Sequence, residues 1–479
     1  LYSESDLVGE THHPSVLVSE LNGMFGKINT KAQDMGLDFY CTSFRTAYYK
    51  YMEHSRDKNA TISAIRSVLG LSQEYAEKLM RTKNLHENGD YKLEEKTAEK
   101  LFMSEQPAKV SPTQLDTYYK CPFNYFCKYG LGLKTVRKAD IDGLNRGLII
   151  HQLLEKIMRK GDDGTGFDKA FLTLSDDEIK EYIHKNVTEY IKESLGGMFG
   201  KSPSFVFLQE RMESNILHIV RFMQHELLNS KFRPALLEYK IDKSEGEDRL
   251  IIDVNGRDKI ILTGIIDRVD VFEDENGEKY VRIIDYKTGS IDLKYSMLYN
   301  GLNLQMFVYL TALLETKNPV NIAGGLKQAG IVYYTLGNNP KTYEQTADAD
   351  VEEAESRSRL NAFKPIGKVV DIKAVTEAFS SEENYAYAPF KYSKTNGISG
   401  TVPDGFFTKL REFAIGKVAQ FGEQICQGNI QARPVAEACK HCDFHDICGR
   451  VNQEDVTDVK DRVYEEKLME ELTDRKEKK

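Results

Sequence analysis

The sequence predicts an α/β protein, with a sheet in the middle of the chain wrapped by helices. Three observations predict it. Apolar residues recur at helical spacing in segments up to residue 229, β-branched runs take over from residue 235 to 287, and helical spacing returns at 303–315 and 406–427. Composition supports a packed interior: 41% of the 479 residues are hydrophobic and 29% charged, with 26 Tyr, 23 Phe and no Trp. This length corresponds to two or three domains with real cores. No stretch approaches the ~20 apolar residues of a membrane helix and no signal pattern is visible, so neither a membrane nor a secreted protein is expected. The first residue is Leu1 and not Met, which reads as a piece of a longer chain. The formal charge of −9 argues against a surface that binds nucleic acid everywhere, but leaves local patches open.

In chain order, residues 1–105 read as mostly helical, most clearly at 62–80 and 92–102. The period breaks at Gln106-Pro107. Ser111-Pro112 then marks a helix start, with proline at the first helical position where its missing N–H costs little. Helices are predicted at 113–129, 142–160, 176–193 and 207–229, and strands at 236–242, 249–254, 259–272 and 279–287. A helix at 303–315 and a strand-like run at 329–336 follow. Glu344, Asp348, Asp350, Glu352, Glu353 and Glu355 crowd a segment that reads as solvated. The helix at 406–427, a cysteine cluster and a charged tail from Glu454 complete the chain. Gly200-Lys201-Ser202 ends like a phosphate-binding loop, but the glycine needed five positions before Gly200 is Leu195. ATP binding is not expected there.

The sharpest chemistry lies in Gly264-Ile265-Ile266-Asp267-Arg268-Val269-Asp270 and Ile283-Ile284-Asp285-Tyr286-Lys287-Thr288-Gly289. Asn276-Gly277 between them is a strong hairpin signal. A turn centred near Asn276 pairs Asp267 with Asp285, while Asp285 and Lys287, two apart on a strand, share a face. Opposed carboxylates in an apolar hairpin repel and are poorly solvated, a conflict that a divalent cation resolves. Hard oxygen ligands suit Mg²⁺, with Lys287 placed to orient water or steady developing charge. An ordinary surface salt bridge explains any one of these residues alone, but not the set.

These residues resemble the PD-(D/E)XK nuclease superfamily, in which an acid on one strand and an acid-x-Lys on the next hold metal. The resemblance implies a restriction-endonuclease-like mixed central sheet flanked by helices. Its RecB-like branch adds an upstream helical histidine, matched by His151, which shares a helix face with Glu155. It also adds Gln-x-x-x-Tyr after the site, matched by Gln305 and Tyr309. Glu238 stands where relatives carry an auxiliary acid, and equally fits an ordinary strand-surface acid.

Seven cysteines occur, at 41, 121, 127, 426, 439, 442 and 448. The odd number and absent signal argue against a disulfide framework. Cys439-x2-Cys442-x5-Cys448 suits zinc or an iron–sulfur centre and needs a fourth ligand. Cys121, followed by Pro122, is the best candidate. Cys127 competes on spacing, and His441 or His445 can substitute if the metal is zinc. Cys41, Cys127 and Cys426 read as buried thiols. One cysteine before the core and three after it resemble the iron–sulfur nucleases, which implies a 4Fe–4S cluster on Cys121, Cys439, Cys442 and Cys448.

The whole order, over residues 106–450, resembles the C-terminal part of the AddB family, the B subunits of bacterial AddAB helicase–nucleases. The division expected is 1–105 as the end of a helicase-like region and 106–479 as the nuclease domain. The resemblance implies a cytoplasmic, Mg²⁺-dependent exonuclease on the 5′-terminated strand, active in double-strand-break processing for recombination. It further implies an AddA-like helicase–nuclease subunit as partner, with the family's nucleotide-binding motif absent from this chain. A CRISPR-type iron–sulfur exonuclease and a non-catalytic, zinc-stapled DNA-binding scaffold are the alternatives. From 109 to 138, six basic residues face one acid and interleave with aromatics. Either the rings are core and the lysines a solvated face, or Lys120, Lys128 and Lys134 meet the phosphates of a single strand whose bases stack on the tyrosines.

Overall fold

The computed structural model describes residues 20, 23–25, 41–54, 60–87, 92–134, 143–159, 166–194, 203–241, 249–289, 291–336, 363, 365–380, 385–440, 442–445, 447–448 and 456–474. The acid-rich segment at 344–355, the Gly-Lys-Ser segment, Arg137, Lys138 and His441 lie outside the described residues.

Two compact units divide the chain, Leu1–Gly89 and Asp90–Lys479. The first contains α1 (Phe44–Glu53), α2 (Ala60–Leu69) and α3 (Gln73–Glu87). Ser43 caps α1 reciprocally with Thr46. The helical period expected at 62–80 is interrupted at Gly70, a residue suited to a helix stop, so two helices form where one was predicted. Ala47, Ile62, Ile65 and Leu69 make a small core.

In the second unit, α4 (Glu95–Phe102) and β1 (Ala108–Val110) precede α5 (Pro112–Lys120), which Ser111 and Gln114 cap reciprocally. The helix predicted at 113–129 breaks at Cys121, whose backbone is extended (φ −167°). A residue before proline is pushed out of the helical region, so Pro122 begins a new short helix, α6 (Pro122–Tyr125). Three long helices follow: α7 (Gly143–Met158), α8 (Asp176–Ser194) and α9 (Pro203–Asn229).

The strands are β2 (Arg233–Lys240), β3 (Ile251–Asp253), β4 (Lys259–Leu262), β5 (Ile265–Glu273) and β6 (Lys279–Lys287). The chain then passes α10 (Tyr295–Tyr299) and α11 (Gln305–Glu315) to β7 (Lys327–Thr335) and β8 (Ile366–Val369). Near the end lie α12 (Asp404–Cys426) and α13 (Val463–Asp474). The central sheet runs β2-β5-β6-β7-β8, parallel only between β6 and β7, and is therefore mixed as expected. A second sheet runs β1-β4-β3.

The run read as one strand at 259–272 is two. It changes sheets at Thr263-Gly264, because a Cβ on Gly264 would overlap the ring and hydroxyl of Tyr309. The β5–β6 turn is closed by Asp274, whose carboxylate accepts the N–H groups of Asn276 and Glu278, both at 2.9 Å. Gly277 takes a left-handed conformation there (φ 78°). Arg268 pairs with Ile284 and Val269 with Ile283, the register that sets Asp267 across from Asp285.

The opposite face of this hairpin carries a charge box. Arg268 donates twice to Asp270 (2.9 and 2.8 Å) and once to Glu226 of α9 (2.9 Å). Arg282 donates twice to Asp270 (3.0 and 2.8 Å) and also pairs with Glu226. Two cations and two anions thus cancel in full burial. Burial pushes the Asp270 carboxyl up, but the two guanidiniums outweigh it and hold the group below its usual range. Among the described residues, no helix is long and apolar enough to cross a membrane.

Candidate active site

Strand alternation puts Asp267, Asp285 and Lys287 on the sheet face opposite the charge box. Asp267 is oriented from both ends. Its Oδ2 accepts the backbone N–H of Tyr286 at 2.7 Å, and its Oδ1 lies 3.4 Å from His151 Nδ1. His151, on α7, sets its Nε2 3.0 Å from the Tyr286 carbonyl. With Nε2–H donating there, Nδ1 is the nitrogen turned to the acids. Glu238 completes the group, its Oε1 3.7 Å from His151 Nδ1.

The ligand atoms of His151, Glu238 and Asp267 lie within 4.8 Å of one another. Glu238 gets there by a left-handed backbone (φ 47°) in mid-strand, a costly conformation for a non-glycine residue. The strain turns its carboxylate into the site.

Asp285 heads a second set of contacts. Its Oδ2 is 2.8 Å from Lys287 Nζ, and its Oδ1 accepts from Gln305 Nε2 at 2.8 Å. Lys287 in turn donates to Gln305 Oε1 at 3.2 Å, which closes a triangle. Tyr309, one turn after Gln305, is buried and accepts the N–H of Ile265. It braces the start of β5 beneath the site.

The field of this site favours cations. Burial and the neighbouring Asp267 push the Asp285 carboxyl up to about 7, against the pull of Lys287. Burial works against protonated His151, yet its contacts with Asp267 and Glu238 raise it to about 10. Burial also raises Glu238. Three carboxylates thus share too little solvent and too few positive partners, the electrostatic condition in which a divalent cation binds.

A family profile described as "PD-(D/E)XK nuclease superfamily" matches residues 109–449, and this span encloses the acid site and the cysteines from 121 to 448. The chain belongs to the PD-(D/E)XK nuclease superfamily. Over 93% of its length it is 24% identical to the B subunit of the ATP-dependent helicase/deoxyribonuclease of Alkaliphilus oremlandii, and 23% identical to the protein of that name from Clostridium acetobutylicum. Over 71% it is 28% identical to the one from a Thermoanaerobacter species, strain X514. The chain spans about 40% of the length of the first two relatives and 29% of the third.

The PD-(D/E)XK fold also gathers the cysteines. Phe123, Cys127 and Phe444 form a small core against which Cys121, Phe126, Ala432, Cys442 and Cys448 pack. Backbone bonds tie the two chain segments together: Val435 N–H to the Lys120 carbonyl (2.9 Å) and Phe123 N–H to the Gln431 carbonyl (3.2 Å). All seven cysteines are free thiols. Burial pushes Cys121 and Cys127 up to about 11, with the other thiols adding to the effect. Cys41 lies in the first unit, and Cys426 sits near Asp258, outside this group.

The basic aromatic segment separates cleanly. Tyr118 and Tyr125 are buried edge-on against Phe421, and the Tyr119 hydroxyl donates to the Lys417 carbonyl (2.6 Å). These rings are core, so the bases of a strand cannot stack on Tyr118 and Tyr125 as one reading of the sequence had it. Lys120, Lys128 and Lys134 are exposed. Lys120 pairs with Asp116 (2.6 Å), and Lys128 lies 5.3 Å from the Tyr129 ring centre. Sequence reasoning missed the charge box, although Asp-Arg-x-Asp is a signal for it. It also missed the backbone of Tyr286, which holds both His151 and Asp267 and has no signal at all.

Proposed function

We propose that this chain is the nuclease part of the B subunit of a helicase–nuclease, a Mg²⁺-dependent deoxyribonuclease that cuts the 5′-terminated strand of an unwound duplex. The observation that carries it is the opposition of Asp267 and Asp285 beside His151, with Lys287 held between Asp285 and Gln305. His151, Asp267 and Asp285 would hold the metal, with Glu238 beside them. A divalent cation there supplies Lewis-acid stabilisation of the phosphodiester and lowers the pKa of water. Lys287 contributes a fixed ammonium that orients the attacking water and steadies charge as the bond from phosphorus to the leaving sugar oxygen breaks. Gln305 holds that ammonium in place, and Tyr309 fixes the helix turn that carries Gln305.

The names of the relatives support an AddA-like partner and a bacterial, cytoplasmic role in processing double-strand breaks for recombination. Residues 1–105 would be the end of the helicase-like region, with 106–479 as the nuclease domain. No ATPase activity is assigned to the chain. Cys121, Cys439, Cys442 and Cys448 would hold a 4Fe–4S cluster. An all-thiol, half-buried donor set suits it, and its spacing favours it over zinc. Among the described residues, the only three ligating atoms within 4.8 Å are those of His151, Glu238 and Asp267. A single tetrahedral zinc draws its sulfurs to about 3.8 Å of one another. The exposed Lys120, Lys128 and Lys134 would contact the phosphates of the incoming strand.

The test is cleavage of end-labelled single strands by wild type and Asp285→Asn with Mg²⁺. Loss of cleavage by orders of magnitude in the variant, and in wild type with excess EDTA, is expected. Undiminished cleavage in either case overturns the assignment.

A further inference from the structure

Asn124 stands among the thiols and has no part in the contacts described so far. It lies on α6, three residues after Cys121, and its Nδ2 donates to Cys442 Sγ at 3.4 Å. Its backbone N–H, together with that of Phe123, bears on the Cys121 sulfur. One residue therefore serves two sulfurs that come from opposite ends of the nuclease domain. Cys442 takes a further backbone N–H from Phe444.

A neutral thiol is a weak acceptor and gains little from such donors. A metal-bound cysteine is a thiolate, and N–H groups aimed at it make charge-assisted bonds. Burial opposes charge at both sulfurs, so donors placed in advance have most to offer once metal is held.

We propose that Asn124 is a positioning residue of the iron–sulfur centre, locking Cys121 and Cys442 at their ligating separation and raising the centre's reduction potential. This rests on the iron–sulfur reading above. Donors to cluster sulfurs withdraw electron density from them, which favours the more negative, reduced state. A leucine at the position keeps the volume and removes the side-chain donor. A glutamine retains the amide on a longer arm.

The full chain is purified anaerobically as wild type, Asn124→Leu, Asn124→Gln and Cys127→Ser. Iron and sulfide are assayed, and the visible band is titrated with dithionite against redox mediators. Asn124→Leu is expected to retain the cluster with a midpoint potential more negative than wild type. Asn124→Gln should recover part of the shift, and Cys127→Ser should leave it unchanged. If Asn124→Leu loses iron to a chelator several-fold faster while Asn124→Gln holds it, the positioning role is supported by that route. A full iron content with an unshifted potential and wild-type iron release in Asn124→Leu overturns the role of Asn124 alone. A wild-type chain that purifies colourless and zinc-loaded overturns the iron–sulfur reading itself. Metal analysis distinguishes the two failures.

Discussion

Asp267 and Asp270 sit three residues apart on β5, and strand alternation sends them to opposite faces. Asp267 meets a histidine and other acids, an arrangement that invites a cation. Asp270 meets two arginines and needs none. The depressed pKa of Asp270 makes a stability statement with a definite sign. Its carboxylate stabilises the fold above the unfolded value of 3.8, and that contribution is lost as pH falls through the lower folded value. Asp270→Asn should cost about 3–5 kcal/mol at neutral pH, because Arg268 and Arg282 are left buried with Glu226 as their one anion. Thermal melts from pH 7 to pH 2.5 check both parts. The variant should start less stable and lose less between pH 4 and 2.5, and identical acid limbs would show that Asp270 is not the titrating group.

At the level of elements, the meeting of Gly264 with Tyr309 decides how β5 enters the central sheet. Adding a Cβ at Gly264 forces Tyr309 aside, and Gln305 one turn away moves with it. Gly264→Ala should cost about 1–3 kcal/mol as an overpacked site and lower cleavage with it. Tyr309→Leu in the same chain should recover part of that stability, giving a coupling in a double-mutant cycle. Strictly additive effects would mean that the two residues do not share the strain. This contact also marks where the sequence stopped being readable. The hairpin was legible because Asn276-Gly277 and the β-branched runs beside it are local signals, and the register followed by arithmetic. The sheet change at Gly264 was not, since its cause is a tyrosine on a helix reached only after another strand. The break at Cys121-Pro122 was written in the proline and masked by the apolar period running through it. β8, four residues at the sheet edge, is too short to carry a period. Among the site residues, the acid pair and Lys287 were legible from the hairpin. His151, Gln305 and Tyr309 came from resemblance, since a helix face does not say which sheet it will meet.

On the scale of the nuclease domain, the cysteines bracket everything between them. More than 300 residues separate Cys121 from Cys439, and the central sheet lies within that interval. The Lys120–Val435 and Phe123–Gln431 backbone bonds already bring the two segments together, so the thiols reinforce a contact that the fold makes by itself. Metal bound there adds its binding energy to the folded state, since the unfolded chain holds the same ligands far apart. Cys121→Ser should therefore lose metal and melt several degrees lower, while Cys127→Ser keeps both metal and melting point. Hydrogen exchange locates the effect. Amides of 120–127 and 431–448 should exchange faster in Cys121→Ser, and those of the β5–β6 hairpin should stay protected, because the hairpin packs on α9 and α11 away from the thiols. Unchanged exchange at 431–448 in a metal-free Cys121→Ser would mean that the backbone bonds alone close the domain. The staple would then have no part in its stability.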